Sequence, residues 1–142
     1  MFDSSFLESF ESNLSSLDYG YQMFCNSELT SFNCNMSKLT KGVAMFLDCS
    51  NLTTFTSDLS SLTNGNGMFD GCKLDAQSVA NIIHTIKDMN NVDPLEPMPN
   101  ITIGIGCNNT AEDQLLFAQE CDCDTWQELL DDFSAKNWTV TF

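Results

Sequence analysis

MFLDCSNLTTFTSDLSSLTNGNGMFDGC, from Met45 to Cys72, decides the fold, because it opens and closes on the same words, Met-Phe-x-x-Cys. Between them lie Leu52, Phe55, Leu59, Leu62 and Gly65. Leu29, Phe32, Met36, Leu39 and Gly42 stand 23 residues earlier, and Leu7, Phe10, Leu14, Leu17 and Gly20 stand 22 before those. The Met-Phe pair recurs at Met1-Phe2, Met23-Phe24, Met45-Phe46 and Met68-Phe69, in steps of 22, 22 and 23 residues. The one-residue insertion falls between Cys49 and Leu52.

A period of roughly 20–29 residues with leucines at fixed offsets is the signature of a leucine-rich-repeat solenoid, whose repeats bury their apolar sides only against one another. The expected fold class is α/β. One parallel sheet of about five strands would be fed first by short turns and then by two longer, helix-containing C-terminal turns. Residues 1–142 are expected to form a single domain, with short repeats over 1–74 and longer turns over 75–142. Because the chain starts at Met1-Phe2, in register with the internal pairs, it reads equally as a natural start or as a fragment of a longer protein.

Within each short turn, SFESN (Ser9–Asn13), SFNCN (Ser31–Asn35) and TFTSD (Thr54–Asp58) alternate apolar or small residues with polar ones, as strand cores do. Phe10, Phe32 and Phe55 then point inward as one column, with Ser12, Cys34 and Ser57. The outward rows are Ser9, Glu11 and Asn13; Ser31, Asn33 and Asn35; Thr54, Thr56 and Asp58. The return segments are too short for long helices, and each carries a glycine where a helical turn would end. Met-Phe supplies a second inward layer.

The period changes after Cys72. Asp75 is placed to cap a helix over Ala76–Met89, whose Val79, Ile82, Ile83, Ile86 and Met89 share one face; His84 lies off that stripe, as a solvated residue. Pro94, Pro97 and Pro99 mark a loop, and ITIGIG from Ile101 reads as a buried strand. A helical region over about 110–136 breaks near Cys121–Asp124. Its second half is capped by Asp124 with Gln127, and its apolar face is Trp126, Leu129, Leu130 and Phe133. Asn137 terminates it, and Trp138, Val140 and Phe142 alternate in a last strand. Helices between strands imply parallel pairing, so these long turns are expected to continue the same sheet.

Twenty acidic residues against five lysines and no arginine give a net charge of −15. Such a chain repels phosphate backbones and anionic lipid, which argues against nucleic acid and membrane surfaces as partners. No apolar run approaches the roughly 18 residues of a membrane helix, and no leader peptide is visible. Seven cysteines leave at least one thiol unpaired within the chain. Cys49 and Cys72 share a column with Ser5 and Ser27, and Cys34 shares one with Ser12 and Ser57. Exchange of Cys with Ser points to small inward positions and mostly free buried thiols, with structural disulfides as the alternative. Cys107, Cys121 and Cys123 with His84 match no standard zinc spacing. Glu120, Asp122 and Asp124 lack a calcium-loop pattern and read as a solvated cap cluster. GIGCNN lacks the third glycine of a dinucleotide fingerprint, and no G-x-S-x-G elbow exists. No catalytic residue, metal ligand or cofactor is therefore expected. Six Asn-x-Ser/Thr sequons start at Asn13, Asn35, Asn51, Asn100, Asn108 and Asn137, and matter only in a secreted eukaryotic setting.

The wording L-T-S-F…L…G…M-F-x-x-C-x-L, clearest from Leu29 to Leu74, resembles the BspA-like leucine-rich repeats of bacterial surface proteins, also found in protist surface proteins and phage-encoded proteins. Those repeats usually carry Ala-Phe where this chain has Met-Phe. The ending AKNWTVTF is similar to the helix-plus-strand ends of such proteins. The resemblance implies adhesion or host binding at a cell or virion surface, outside the cell, and brings no catalytic residues. The expected function is a non-enzymatic recognition or adhesion module for a protein or glycan. It would bind through the polar sheet face, at Ser31, Asn33, Asn35, Thr54, Thr56, Asp58, Thr102 and Thr139. The rival expectation is a structural assembly unit that associates end to end through its first turn.

Overall fold

The structure is a computed structural model that describes residues 6–86, 102–105, 114, 118–119, 123, 125–136 and 139–141. In chain order it holds β1 (Ser31–Phe32), β2 (Thr54–Phe55), β3 (Gly65–Phe69), α1 (Ala76–Thr85), β4 (Thr102–Ile105), α2 (Trp126–Ala135) and β5 (Thr139–Thr141).

The expected solenoid with one parallel sheet of about five strands is not formed. The strands divide into two parallel sheets, β1-β2 and β3-β4-β5. β1 pairs with β2 through Ser31↔Thr54 and Phe32↔Phe55 alone. The five-residue strand cores shrink to two residues because side chains intercept their backbone donors. The Ser57 hydroxyl accepts from Cys34 N at 3.0 Å, and the Ser78 hydroxyl accepts from Phe55 N at 2.8 Å. One step further on, Asn35 Oδ1 accepts from Ser37 N at 3.1 Å and Asp58 Oδ1 from Ser60 N at 2.7 Å. These Asx turns bend the chain away from the ladder. Asn13 does the same for Ser15, and Ser9–Asn13 forms no strand.

The longer C-terminal turns extend the other side of the repeats. β3 contains the Met68-Phe69 pair that the sequence placed on the return side, and β4 lies between β3 and β5. The five residues of β3 from Gly65 to Phe69 stand against only three of β4, from Ile103 to Ile105, and Gly67 sits inside that bulge at φ +62°. The return side also carries the denser backbone bonding between repeats. Gly42 N donates to Asn64 O, Ala44 N to Asn66 O, Phe46 N to Met68 O and Asp48 N to Asp70 O, all within 2.7–2.9 Å. The same four bonds link the preceding step, from Gly20, Gln22, Phe24 and Asn26.

The core follows the columns read from the sequence. Leu29, Leu39, Leu52, Leu59, Leu62 and Met36 are fully buried, and the outward rows from Ser31 to Asp58 are exposed. Phe32 stacks on Phe55 at 6.1 Å and on Phe10 at 6.2 Å, and the column is buried at Phe32 and Phe55 but only partly at Phe10. Phe24, Phe46 and Phe69 form a second stack at 5.4 and 5.5 Å, and edge-to-face contacts of 4.8–5.9 Å knit the two together. Such geometry adds to the burial energy of each ring.

Glycine has two separate jobs here. Gly20 and Gly42 are not left-handed; a Cβ on either would meet the sulfur of Met45 or Met68 in the next repeat, at 2.7 and 2.9 Å. They are small because the methionine layer fills the space, and not because a helical turn ends there. The left-handed positions lie on either side of Met-Phe, in the columns Gln22, Ala44, Gly67 and Asn26, Asp48, Gly71. Ala44, at φ 51°, is the poorest fit among them. Ala44→Gly is therefore expected to raise stability by about 0.5–1 kcal/mol, the relieved strain exceeding the flexibility added to the unfolded chain. An unchanged or lower urea midpoint would contradict this.

In α1, Asp75 accepts from Ser78 N at 2.8 Å, as expected of the cap, and Val79, Ile82, Ile83 and Ile86 are buried while His84 is exposed. The helix stops at Thr85 instead of Met89, because Ile86 is already extended at ψ 138°. The Lys136 ammonium, from the end of α2, closes this terminus by donating to the carbonyls of Ile83 and Ile86. The cap of α2 is Thr125, one residue past the expected Asp124. Glu128 N donates to Thr125 Oγ1 at 3.2 Å while Glu128 Oε2 accepts from Thr125 N at 3.3 Å, a complete capping box. Leu129 and Phe133 are buried, and Trp126 and Leu130 partly so. Asp124, Asn137, Trp138, Phe142 and the proline loop lie outside the described residues.

Candidate functional site

Alternation along the first two short turns throws five polar side chains onto one face, Ser9, Glu11, Ser31, Asn33 and Asn35. They line a surface depression of about 520 Å³, floored by Phe10 and Cys34 and completed by Ser12 and Asn13. The Cys34 thiol donates to Phe10 O at 3.6 Å, so the floor is a contact between repeats.

Ser31, Asn33 and Asn35 are thus brought together, but their chemistry differs. Asn35 Oδ1 already accepts from Ser37 N, so its carbonyl oxygen is committed to the turn. The side chains of Ser31 and Asn33 hydrogen-bond to no described residue and are exposed. Thr54, Thr56 and Asp58 continue the rows on the third repeat without lining the depression. The Thr54 hydroxyl donates to Asp75 Oδ2 at 3.4 Å, Asp58 holds its own turn, and the Thr56 hydroxyl has no partner among the described residues, its N–H donating to Phe32 O. Thr102 and Thr139 are separated from the rest: they are register partners across β4 and β5, in the other sheet. Of the eight expected residues, Ser31 and Thr54 lie in one sheet, Thr102 and Thr139 in the other and four outside any strand, and three of the eight share a depression.

Sequence reasoning passed over a second group. Tyr19 and Tyr21, the chain's two tyrosines, are 60% and 65% exposed on the return side of the first repeat. Comparison of columns could have found them, since Lys41 and Asn64, and Val43 and Asn66, occupy the same places in later repeats.

No group of His, Cys, Asp and Glu among the described residues is arranged to hold a metal ion. No helix among them is long and apolar enough to cross a membrane. Glu120, Asp122, Cys107 and Cys121 lie outside the described residues. Cys25, Cys34, Cys49, Cys72 and Cys123 carry thiols, with no disulfide among the described residues, and all but Cys123 are buried. Cys49 donates to Phe24 O at 3.0 Å, Cys72 donates to Phe46 O at 3.1 Å, and Ser27 Oγ lies 3.2 Å from the Cys49 sulfur. The hydrogen bond with Cys49, and then burial, push the Cys72 thiol well above the ordinary thiol range. The column is a set of weak donors that satisfy carbonyls of the preceding repeat, the task a serine hydroxyl performs equally well. In the folded protein these four thiols are expected to resist a thiol reagent, and all four should react on unfolding without reductant. Absence of the four after unfolding would mean that they are paired.

The chain matches no protein-family model, no curated protein and no solved structure.

Proposed function

We propose that the protein is a non-enzymatic recognition module, working at a cell or virion surface, that holds a protein or glycan ligand against the polar rows of its first two repeats. The observation that carries this reading is the coincidence of the depression with those rows, where Ser31 and Asn33 present polar side chains that no described residue engages, on a backbone fixed by stacked phenylalanines. The likeness of the repeat wording to BspA-like surface proteins supports the same reading.

Asn33→Lys is the direct test, because it fills the depression without touching the core. Binding to arrayed extracellular-matrix proteins and glycans is expected to fall at least about tenfold, in line with loss of a central contact, while circular dichroism stays unchanged. Thr54→Lys, outside the depression, should keep the signal. Equal binding by wild type and Asn33→Lys would remove the proposal.

One observation favours end-to-end assembly as a second reading. Leu7, Phe10, Leu14 and Leu17 are only partly buried and Phe6 is 90% exposed, whereas the next repeat buries Leu29, Phe32, Met36 and Leu39 completely or nearly so. Apolar surface of this kind favours association. Light scattering of the protein with and without an added capping repeat separates the two: growth with concentration that capping abolishes supports assembly, and a monomer in both forms excludes it.

A further inference from the structure

We propose that Tyr19 and Tyr21 form a stacking platform for a neutral oligosaccharide, on the return side of the repeats and separate from the depression. The platform follows from alternation. Gly20 and Gly42 face inward against Met45 and Met68, so their neighbours Tyr19, Tyr21, Lys41 and Val43 face outward. Parallel bridges join Tyr19 to Lys41 and Lys41 to Asn64, and Gln22 N→Val43 O and Ala44 N→Asn66 O tie the second column. The result is an array of two columns by three repeats on a hydrogen-bonded backbone, with both tyrosines at one end.

A pyranose offers one face of C–H groups, which stacks on an aromatic ring, and a rim of hydroxyls that needs donors and acceptors. Tyr19 and Tyr21 supply rings and phenol hydroxyls at little conformational cost. Lys41 Nζ lies over one face of the Tyr19 ring, 5.1 Å from its centre, which fixes that ring from one side and keeps an ammonium donor beside the platform. Asn64 Oδ1 is held by Asn66 N at 3.1 Å, so its amide donors and the exposed Asn66 side chain are left for hydroxyls.

Size and charge choose the occupant. Three neighbouring rungs, about 5 Å apart, by one step of alternate residues, about 7 Å, frame a patch of roughly 10 × 7 Å. A stable protein interface needs about 800 Å² per partner, so the array fits a few sugar rings far better than a protein face. A net charge of −15 repels sulfated or phosphorylated chains, which leaves neutral sugars.

The test is amide NMR of the whole chain titrated with chitotetraose, cellotetraose, maltotetraose and, as the polyanion, a heparin tetrasaccharide. At least one neutral sugar is expected to shift resonances confined to residues 19–22, 41–44 and 64–66, with no response to heparin. Tyr21→Ala should weaken that binding about tenfold or more, Tyr21→Phe should keep most of it, and Asn33→Lys should leave it unchanged. Tyr21 is a surface residue, so these variants are expected to fold. Silence from all three neutral sugars, heparin binding as tight as theirs, or affinity unaffected by Tyr21→Ala would each overturn the proposal. So would a protein ligand that depends on Tyr21 when no sugar binds. None of these outcomes bears on the depression.

Discussion

Phe46→Ala is expected to lower the stability of the protein by about 3–5 kcal/mol, the cost of emptying a large, rigidly lined core site. Phe46 is fully buried and touches four other rings: Phe24 and Phe69 in its own stack, Phe32 and Phe55 in the other. No neighbour can collapse into the gap, because each ring is held in step by a backbone bonded to the repeats beside it, Phe46 N to Met68 O at 2.9 Å among them. Phe10→Ala is the control. Phe10 stands at the outer end of its stack and is only partly buried, so its truncation should cost clearly less. Urea unfolding followed by circular dichroism reads both as shifts in midpoint at constant slope. Equal losses at Phe46 and Phe10 would mean that the two stacks do not form the centre of the core.

This core was legible because burial repeats with the chain. Leucine and phenylalanine columns spaced by 22 and 23 residues are conspicuous, and inward and outward positions alternate around Phe32 and Phe55 as expected. The sheet was not legible, because its fate depends on which group takes each backbone N–H. Ser57 looks like an inward small residue, the expected role, yet its hydroxyl takes the donor of Cys34, as the Ser78 hydroxyl of α1 takes that of Phe55, and the ladder halts. Asn35 and Asp58 look like outward ligands, yet each commits a side-chain oxygen to its own turn, which leaves Ser31 and Asn33 as the expected residues of the depression whose side chains no described residue engages. Thr102 and Thr139 were joined to that site through the assumption of a single sheet. The cap of α2 was missed by one position, since Asp124 with Gln127 and Thr125 with Glu128 both satisfy the pattern and only the side-chain geometry distinguishes them.

Gly71→Ala is expected to cost about 2–5 kcal/mol, the sum of a left-handed alanine and a forced contact with the backbone of the neighbouring turn. Gly71 sits at φ +76°, and a Cβ there would lie 2.5 Å from Asp48 Oδ1, 3.1 Å from Asp48 Cα and 3.3 Å from Asp48 N. Two of those atoms are backbone. Asp48 cannot retreat easily, because it is itself left-handed at φ 58° and its N–H donates to Asp70 O at 2.7 Å. Gly67→Ala provides the comparison: it shares the left-handed backbone, at φ +62°, but its Cβ would meet only the Asp70 carboxylate, at 3.3 Å or more. That variant should lose only the conformational part, about 1–2 kcal/mol. In the double variant Gly71→Ala with Asp48→Gly, the carboxylate is gone and the left-handed cost at position 48 is relieved, while the backbone contacts remain. Partial recovery of the urea midpoint is therefore expected. A Gly71→Ala loss no larger than that of Gly67→Ala would show that the close approach of consecutive repeats at this turn is not a constraint on the fold.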